Sequence, residues 1–290
     1  ALPIWGQGEF QHMHMRIYNK LVAHFFSMLR TDISNALEMW APLIGAEDFD
    51  NVGWLYQSTA SDISGVLVCH DALEEVIEEA HQKKCEMVVC YHPILFNGLK
   101  RFDQTDYVSR AIQKAITYNI SIYAMHTALD KVIGGVSDLM ANNLGLTEVS
   151  FLLPDGDKSG MGRIGILREA IDSESFLKKV KETFKTPMIR HSNFKNNTIR
   201  KVAVLGGSGA FAIEEALRQN ADAYVTGDLK YHDFFKPQGE LLLADVGHFE
   251  SEQFTKNAIA KYLQEKFSNF AVNLSEINTN PVGYYPYGEE

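Results

Sequence analysis

Three histidines, His92, His126 and His248, stand at or just after the ends of apolar runs, Met87–Tyr91, Ile120–Ala124 and Leu241–Val246. Short runs of this kind, rich in Val, Ile and Leu, read as buried strands. Open parallel sheets gather ligands in the crevice beyond the carboxyl ends of their strands. Imidazoles at several such ends can therefore assemble a metal or catalytic site from distant sequence. A single strand-end histidine is more often a hydrogen-bonded loop residue; three of them turn a weak signal into an informative one. Carboxylates accompany them. The segment H-T-A-L-D carries Asp130 four residues after His126, and H-F-E-S-E carries Glu252 four residues after His248. If a helix begins near His248, residues four apart share a face, so His248 and Glu252 can converge on one ion. Glu250 would point about 200° away on the same helical wheel. Imidazole and carboxylate donors without thiolates suit Zn²⁺, Mn²⁺, Fe²⁺, Ni²⁺ or Co²⁺, and donor type alone does not choose among them.

Two further polar clusters follow strands. Gly206-Gly207-Ser208-Gly209 lies between the strand-like Val202–Leu205 and a helical stretch, Ala212–Arg218. Such a turn can offer backbone N–H groups to a phosphate. It lacks the G-x-G-x-x-G spacing and the Lys-Ser/Thr of a P-loop, and a tight β–α turn explains it equally well. Gly227 to Asp233 contains Asp228, His232 and Asp233, which could supply acid/base or supporting groups or form a solvated loop.

The elements that must position these residues alternate regularly. Val66–Cys69, Met87–Tyr91 and Ile120–Ala124 read as strands. A helix over 72–83 carries Leu73, Val76, Ile77 and Ala80 on one face, and another runs from Tyr107 to Tyr118. This order implies parallel β-α-β units. The second half repeats the theme: Arg163–Leu167, Val202–Leu205, Tyr224–Thr226 and Leu241–Ala244 as strands, a helix capped by Ser173, and one long helix over 250–267. The fold class is α/β. A helix over 32–40, with Asp32 or Ser34 as cap, opens the regular pattern.

Composition narrows the function classes. The 290 residues carry 27 basic and 37 acidic side chains, a net charge of −10, which argues against a dedicated nucleic-acid binder. Three cysteines without a C-x-x-C pair argue against a disulfide framework or a cysteine zinc ribbon. No apolar run approaches the roughly 18 residues of a membrane span. Residues 1–15 read as tag-like, and the basic stretch 16–31 as a short surface helix rather than a transit peptide. Cytoplasm is the default expectation. Residues 278–290 read as an extended tail.

Several motifs together resemble one family. They are Asp50-Asn51-Val52-Gly53, Tyr91-His92-Pro93-Ile94-Leu95-Phe96 with Gly98-Leu99-Lys100, and His126-Thr127-Ala128-Leu129-Asp130 followed by Gly134-Gly135-Val136. Gly207-Ser208-Gly209, the run Ala221 to Asp233, and Asp245-Val246-Gly247-His248 through Glu252 complete the set. In this order, over about Asp32 to Phe270, they resemble the Nif-three-like family of GTP cyclohydrolase 1 type 2 homologues, in its short form without an inserted domain. The resemblance implies two interlinked α/β lobes of similar topology, 32–130 with 250–277 and 131–249, and a dinuclear metal site in the cleft between them. It implies a homohexamer whose sites face the interior of a ring. Carried over by position, His92 and His248 would bind one metal and Asp130 the other, with Glu252 bridging. Tyr91 departs from the family's H-H-P pattern, where the first histidine is a ligand of the ion that Asp130 binds. A neutral phenol is a poor ligand, which leaves a weakened second site, a Tyr91 phenolate or recruitment of His126. The expectation is one or two divalent ions per chain.

The functional expectation is a metal-dependent hydrolase acting on a nucleotide or similar phosphorylated small molecule. Glu252 would be central to it, His126 or His232 would relay protons, and Gly207, Ser208 and Gly209 would hold a phosphate. GTP cyclohydrolase chemistry is implied by the resemblance alone. The alternative is a non-catalytic metal-binding, metal-handling or protein-interaction role using the same ligands. Direct DNA binding would need a basic lining that the net charge disfavours.

Overall fold

Residues 27–195 and 197–285 are described by a computed structural model. The tag-like stretch, most of the basic stretch 16–31 and the last five residues of the tail lie outside them. In chain order the chain forms β1 (Met28–Leu29), α1 (Arg30–Trp40), β2 (Gly53–Tyr56), β3 (Asp62–Ile63), β4 (Gly65–Asp71), α2 (Glu74–Gln82), β5 (Met87–His92), α3 (Tyr107–Tyr118) and β6 (Ser121–Ala124). Then come α4 (His126–Asp130), α5 (Val136–Leu144), β7 (Thr147–Pro154), β8 (Gly160–Ile171), α6 (Ser173–Phe184), β9 (Arg190–His191) and β10 (Ile199–Ser208). The remainder is α7 (Ile213–Arg218), β11 (Ala223–Gly227), β12 (Leu242–Asp245), α8 (His248–Glu252), α9 (Thr255–Lys266) and β13 (Ala271–Leu274). Where a surface helix is expected across residues 16–31, the described part holds β1, paired antiparallel to β3, and the start of α1.

The chain divides into two compact units. The first gathers the described residues up to Leu37, Gly53–Ala124 and Ile259–Ile277. Its five-stranded sheet runs β13-β4-β5-β6-β2. The β13, β4, β5 and β6 strands are parallel to their neighbours, and β2 closes the edge antiparallel to β6. Strands buried on both faces read as continuous apolar runs, which is why Met87–Tyr91 could be recognised without alternation. Leu67, Val88 and Ile122 share a core with Val76, Ile77 and Ala80 of α2 and Ala111, Ile112 and Ala115 of α3. Burying a side chain such as Ile77 completely contributes about 1.5–3 kcal/mol. Asp106 starts α3 by accepting a hydrogen bond from the Ser109 N–H at 3.0 Å, and Asn119 ends it in the left-handed region.

The second unit comprises Glu38–Val52, Met125–Ala258 and the described residues from Asn278. Its six-stranded sheet is mixed, in the order β7-β8-β10-β11-β12-β9. The β10, β11 and β12 strands are parallel, whereas β7, β8 and β9 pair antiparallel. The cap of α6 is Asp172, one residue before the expected Ser173; its carboxylate accepts from the Ser175 N–H at 2.9 Å. Phe176, Val180 and Phe184 of α6 pack with Val202, Val204, Ala223 and Val225 of the sheet. The long helix expected over 250–267 is two helices. The chain leaves the helical path between Glu252 and Thr255, where the Thr255 hydroxyl donates to the Glu252 carbonyl at 2.6 Å and the Gln253 amide donates to the Phe184 carbonyl at 2.7 Å.

Candidate metal-binding groups

In the first unit, β4 and β5 run side by side, with Asp71 paired to His92 across the parallel ladder. The Asp71 carboxylate lies 2.8 Å from His92 Nδ1. His70 precedes Asp71 and is 3% exposed. His70, Asp71 and His92 each offer a donor atom, and these atoms lie within 4.8 Å of one another, so the three could hold a metal ion. Tyr91 is 1% exposed and stacks on His70, with ring centroids 5.3 Å apart.

The second unit builds a comparable arrangement around His248. Its Nδ1 lies 2.7 Å from Asp228, and its Nε2 lies 3.1 Å from the buried Glu252 carboxylate. Residues four apart on α8 do meet, as the spacing required. Burial works against a charged His248 ring, yet the Asp228 and Glu252 carboxylates beside it lift its pKa to about 11. The His248 hydrogen bond holds the Asp228 carboxyl below its usual range. An environment that stabilises a proton between two carboxylates also suits a divalent cation, so the donor chemistry fits.

Glycine makes room for this arrangement. Gly207 adopts φ +64°, and a Cβ there would stand 2.4 Å from Glu252 Oε1. The Gly207 N–H donates to the Ser251 hydroxyl, and the Ser208 hydroxyl donates to Asp228 at 2.6 Å. These two groups, candidates for a phosphate, are thus engaged with the segments around His248. A Cβ at Gly209 would collide with the Thr226 and Tyr224 hydroxyls, and the Gly209 carbonyl accepts from the Tyr224 hydroxyl. Asp245, buried at the end of β12, accepts from the N–H groups of Leu229 and Gly247. One carboxylate therefore ties together the turns that carry Asp228 and His248. Glu250, the residue turned away on the helical wheel, is buried and accepts from Asn280 at 3.0 Å, anchoring the C-terminal segment.

His126 opens α4 with φ +30°, an unusual conformation for a side-chain-bearing residue. Its Nδ1 lies 2.7 Å from Asp50, whose side chain has no exposed surface. Asp50 also accepts from the Thr127 N–H and is hydrogen-bonded to its hydroxyl. Burial would raise the Asp50 carboxyl, but the bonds from His126 and Thr127 hold it at about 2. Asp130 ends α4, half-buried; among the described residues it joins no trio of donors within 4.8 Å. His232 lies exposed on a 3₁₀ turn, its ring against Tyr231 and Phe235.

All three strand-end histidines thus have Nδ1 facing an aspartate: Asp71, Asp50 and Asp228. A carboxylate on one ring nitrogen fixes the tautomer and presents the other nitrogen, the usual arrangement behind metal-ligating or proton-transferring histidines. Sequence reasoning missed Asp71 and His70. The signal was present, because Val66–Cys69 is a further apolar run ending at a histidine.

An α/β fold with imidazole–carboxylate groups of this kind defines a protein whose side chains could bind divalent metal. The comparisons agree on its kinship: the chain belongs to the Duf34/NIF3 (NGG1p interacting factor 3) family, which matches residues 28–281. It is 31% identical to a Clostridium acetobutylicum protein named GTP cyclohydrolase 1 type 2 homolog, over 86% of this chain and 96% of the relative. A Nostoc protein of the same name is 32% identical over 77% of this chain and 86% of the relative. Among solved structures, a Bacillus cereus protein related to NIF3 superposes with a TM-score of 0.85 at 24% identity, covering 89% of this chain and 99% of that one. A Staphylococcus aureus protein gives 0.83 at 27% identity, with the same coverage.

Proposed function

We propose that this chain binds divalent metal ions and acts as a metal-dependent hydrolase on a nucleotide or similar phosphorylated small molecule. The observation that carries the reading is His248, held by Asp228 on one nitrogen and facing the buried Glu252 carboxylate with the other. In this reading His92, His248, Glu252 and Asp130 are the protein's metal ligands. A divalent ion held by such a set supplies Lewis-acid polarisation and lowers the pKa of water. The chain's own residues do the rest. Asp71 and Asp228 orient the ligand imidazoles, and Asp245 fixes the turns around His248. His126, held by Asp50, would take or return a proton. The relatives' names support GTP as the first substrate to test, with hydrolytic opening of the guanine imidazole ring and release of formate.

The test follows formate release from GTP by the metal-loaded protein and by Glu252→Ala. Turnover in the wild type, lost in the variant at unchanged assembly, supports the hydrolase. Metal binding without turnover of any nucleotide favours the second reading, a metal-binding interaction protein, to which the family's description as an interacting factor points. We also propose a homohexamer, on the family resemblance, and a cytoplasmic location, as the default expectation from the sequence.

A further inference from the structure

The motif that announces His92 in the sequence carries a tyrosine, not a histidine, immediately before it. The sheet supplies an imidazole beside that tyrosine. In the parallel β4–β5 ladder Cys69 pairs with Cys90 and Asp71 with His92, which sets His70 alongside Tyr91. The ring of His70 stacks on Tyr91 at 5.3 Å and 30°, and it meets His92 edge-on at 4.6 Å and 69°. Both His70 and Tyr91 are almost wholly buried, so packing holds the imidazole in one place. Its donor atom lies within 4.8 Å of those of Asp71 and His92.

We infer that His70 is a metal ligand, completing with His92 and Asp71 a two-imidazole, one-carboxylate site for a divalent cation on the first unit. Tyr91 in this arrangement is the packing surface that orients His70, not a ligand. This set is chemically intermediate, suited to Zn²⁺, Co²⁺, Ni²⁺, Fe²⁺ or Mn²⁺. The inference rests on the metal-binding part of the proposed function, and it holds whether or not the protein turns over a nucleotide.

Cobalt is the probe, because its visible absorption reports its ligands. Co²⁺ is titrated into chelator-treated full-length wild type, His70→Gln, Tyr91→Phe and His248→Ala. Affinity should fall about tenfold or more in His70→Gln, since even supporting groups around a metal are worth 10–100-fold. Tyr91→Phe should bind as the wild type does. His248→Ala should retain the His70-dependent component. A second variant guards against a folding defect: His70→Cys should gain a near-ultraviolet thiolate-to-cobalt charge-transfer band absent from the wild type. A folded His70→Gln with wild-type affinity and spectrum, or a folded His70→Cys without the new band, overturns the inference. Cobalt binding that depends on His248 but is indifferent to position 70 defeats this inference and leaves the proposed function standing. A wild type that takes up no cobalt defeats both.

Discussion

The same residue-scale device recurs at three strand ends: an aspartate holds one nitrogen of a histidine and leaves the other to be used. At His248 the aspartate is Asp228, and Asp228→Asn should reduce metal affinity about 10–100-fold while leaving the fold intact, as read by titration and by thermal melting. At His126 the partner is Asp50, held at about 2 against an ordinary 3.8. A depressed carboxyl stabilises the folded state above its unfolded pKa, and that stability is lost as pH falls through the folded value. Asp50 should therefore contribute about 2 kcal/mol at neutral pH, lost between about pH 4 and pH 2. Urea denaturation of wild type and Asp50→Asn should differ by about that amount at pH 7 and converge toward pH 2. An unchanged difference across this range would exclude the ionised Asp50 as its source. Gly207→Ala tests steric fit: its Cβ would stand 2.4 Å from Glu252 Oε1. Metal content should fall in this variant by more than its melting temperature suggests.

At the scale of elements, legibility depended on whether local sequence or distant register decides the structure. The strands Met87–His92 and Ala223–Gly227 and the helix Tyr107–Tyr118 were legible because apolar runs and helical periodicity are local properties. The short β2, β9 and β13 strands were missed, since two to four residues carry no periodicity and exist by pairing with a neighbour. The break between α8 and α9 was hidden in the same way. Residues 250–267 are compatible with one helix, and the interruption comes with side-chain bonds from Gln253 and Thr255 that no spacing rule anticipates. The candidate residues divide along the same line. His92, His126, His248 and Glu252 were legible from strand ends and i, i+4 spacing, whereas Asp71 meets His92 only through the β4–β5 register. Helix capping offers a check on the local part: Asp172→Ala should cost about 1 kcal/mol of stability in denaturant unfolding. Removing a buried ring of α6, Phe184→Ala, should cost about 3–5 kcal/mol in the same measurement.

For the whole molecule, the net charge is −10, and no helix of the described residues is long and apolar enough to cross a membrane. The proposed hexamer would have six times the 32.6 kDa mass of this chain, which light scattering on the purified protein can check. In the proposed function, carboxylate-oriented histidines bind divalent metal. This binding is tested most directly by elemental analysis of wild type and His248→Ala, each purified without added metal or chelator. One or two metal ions are expected per wild-type chain and fewer in the variant, with the same far-ultraviolet circular dichroism in both. Metal in neither protein, and none bound when it is added back, would contradict the proposal.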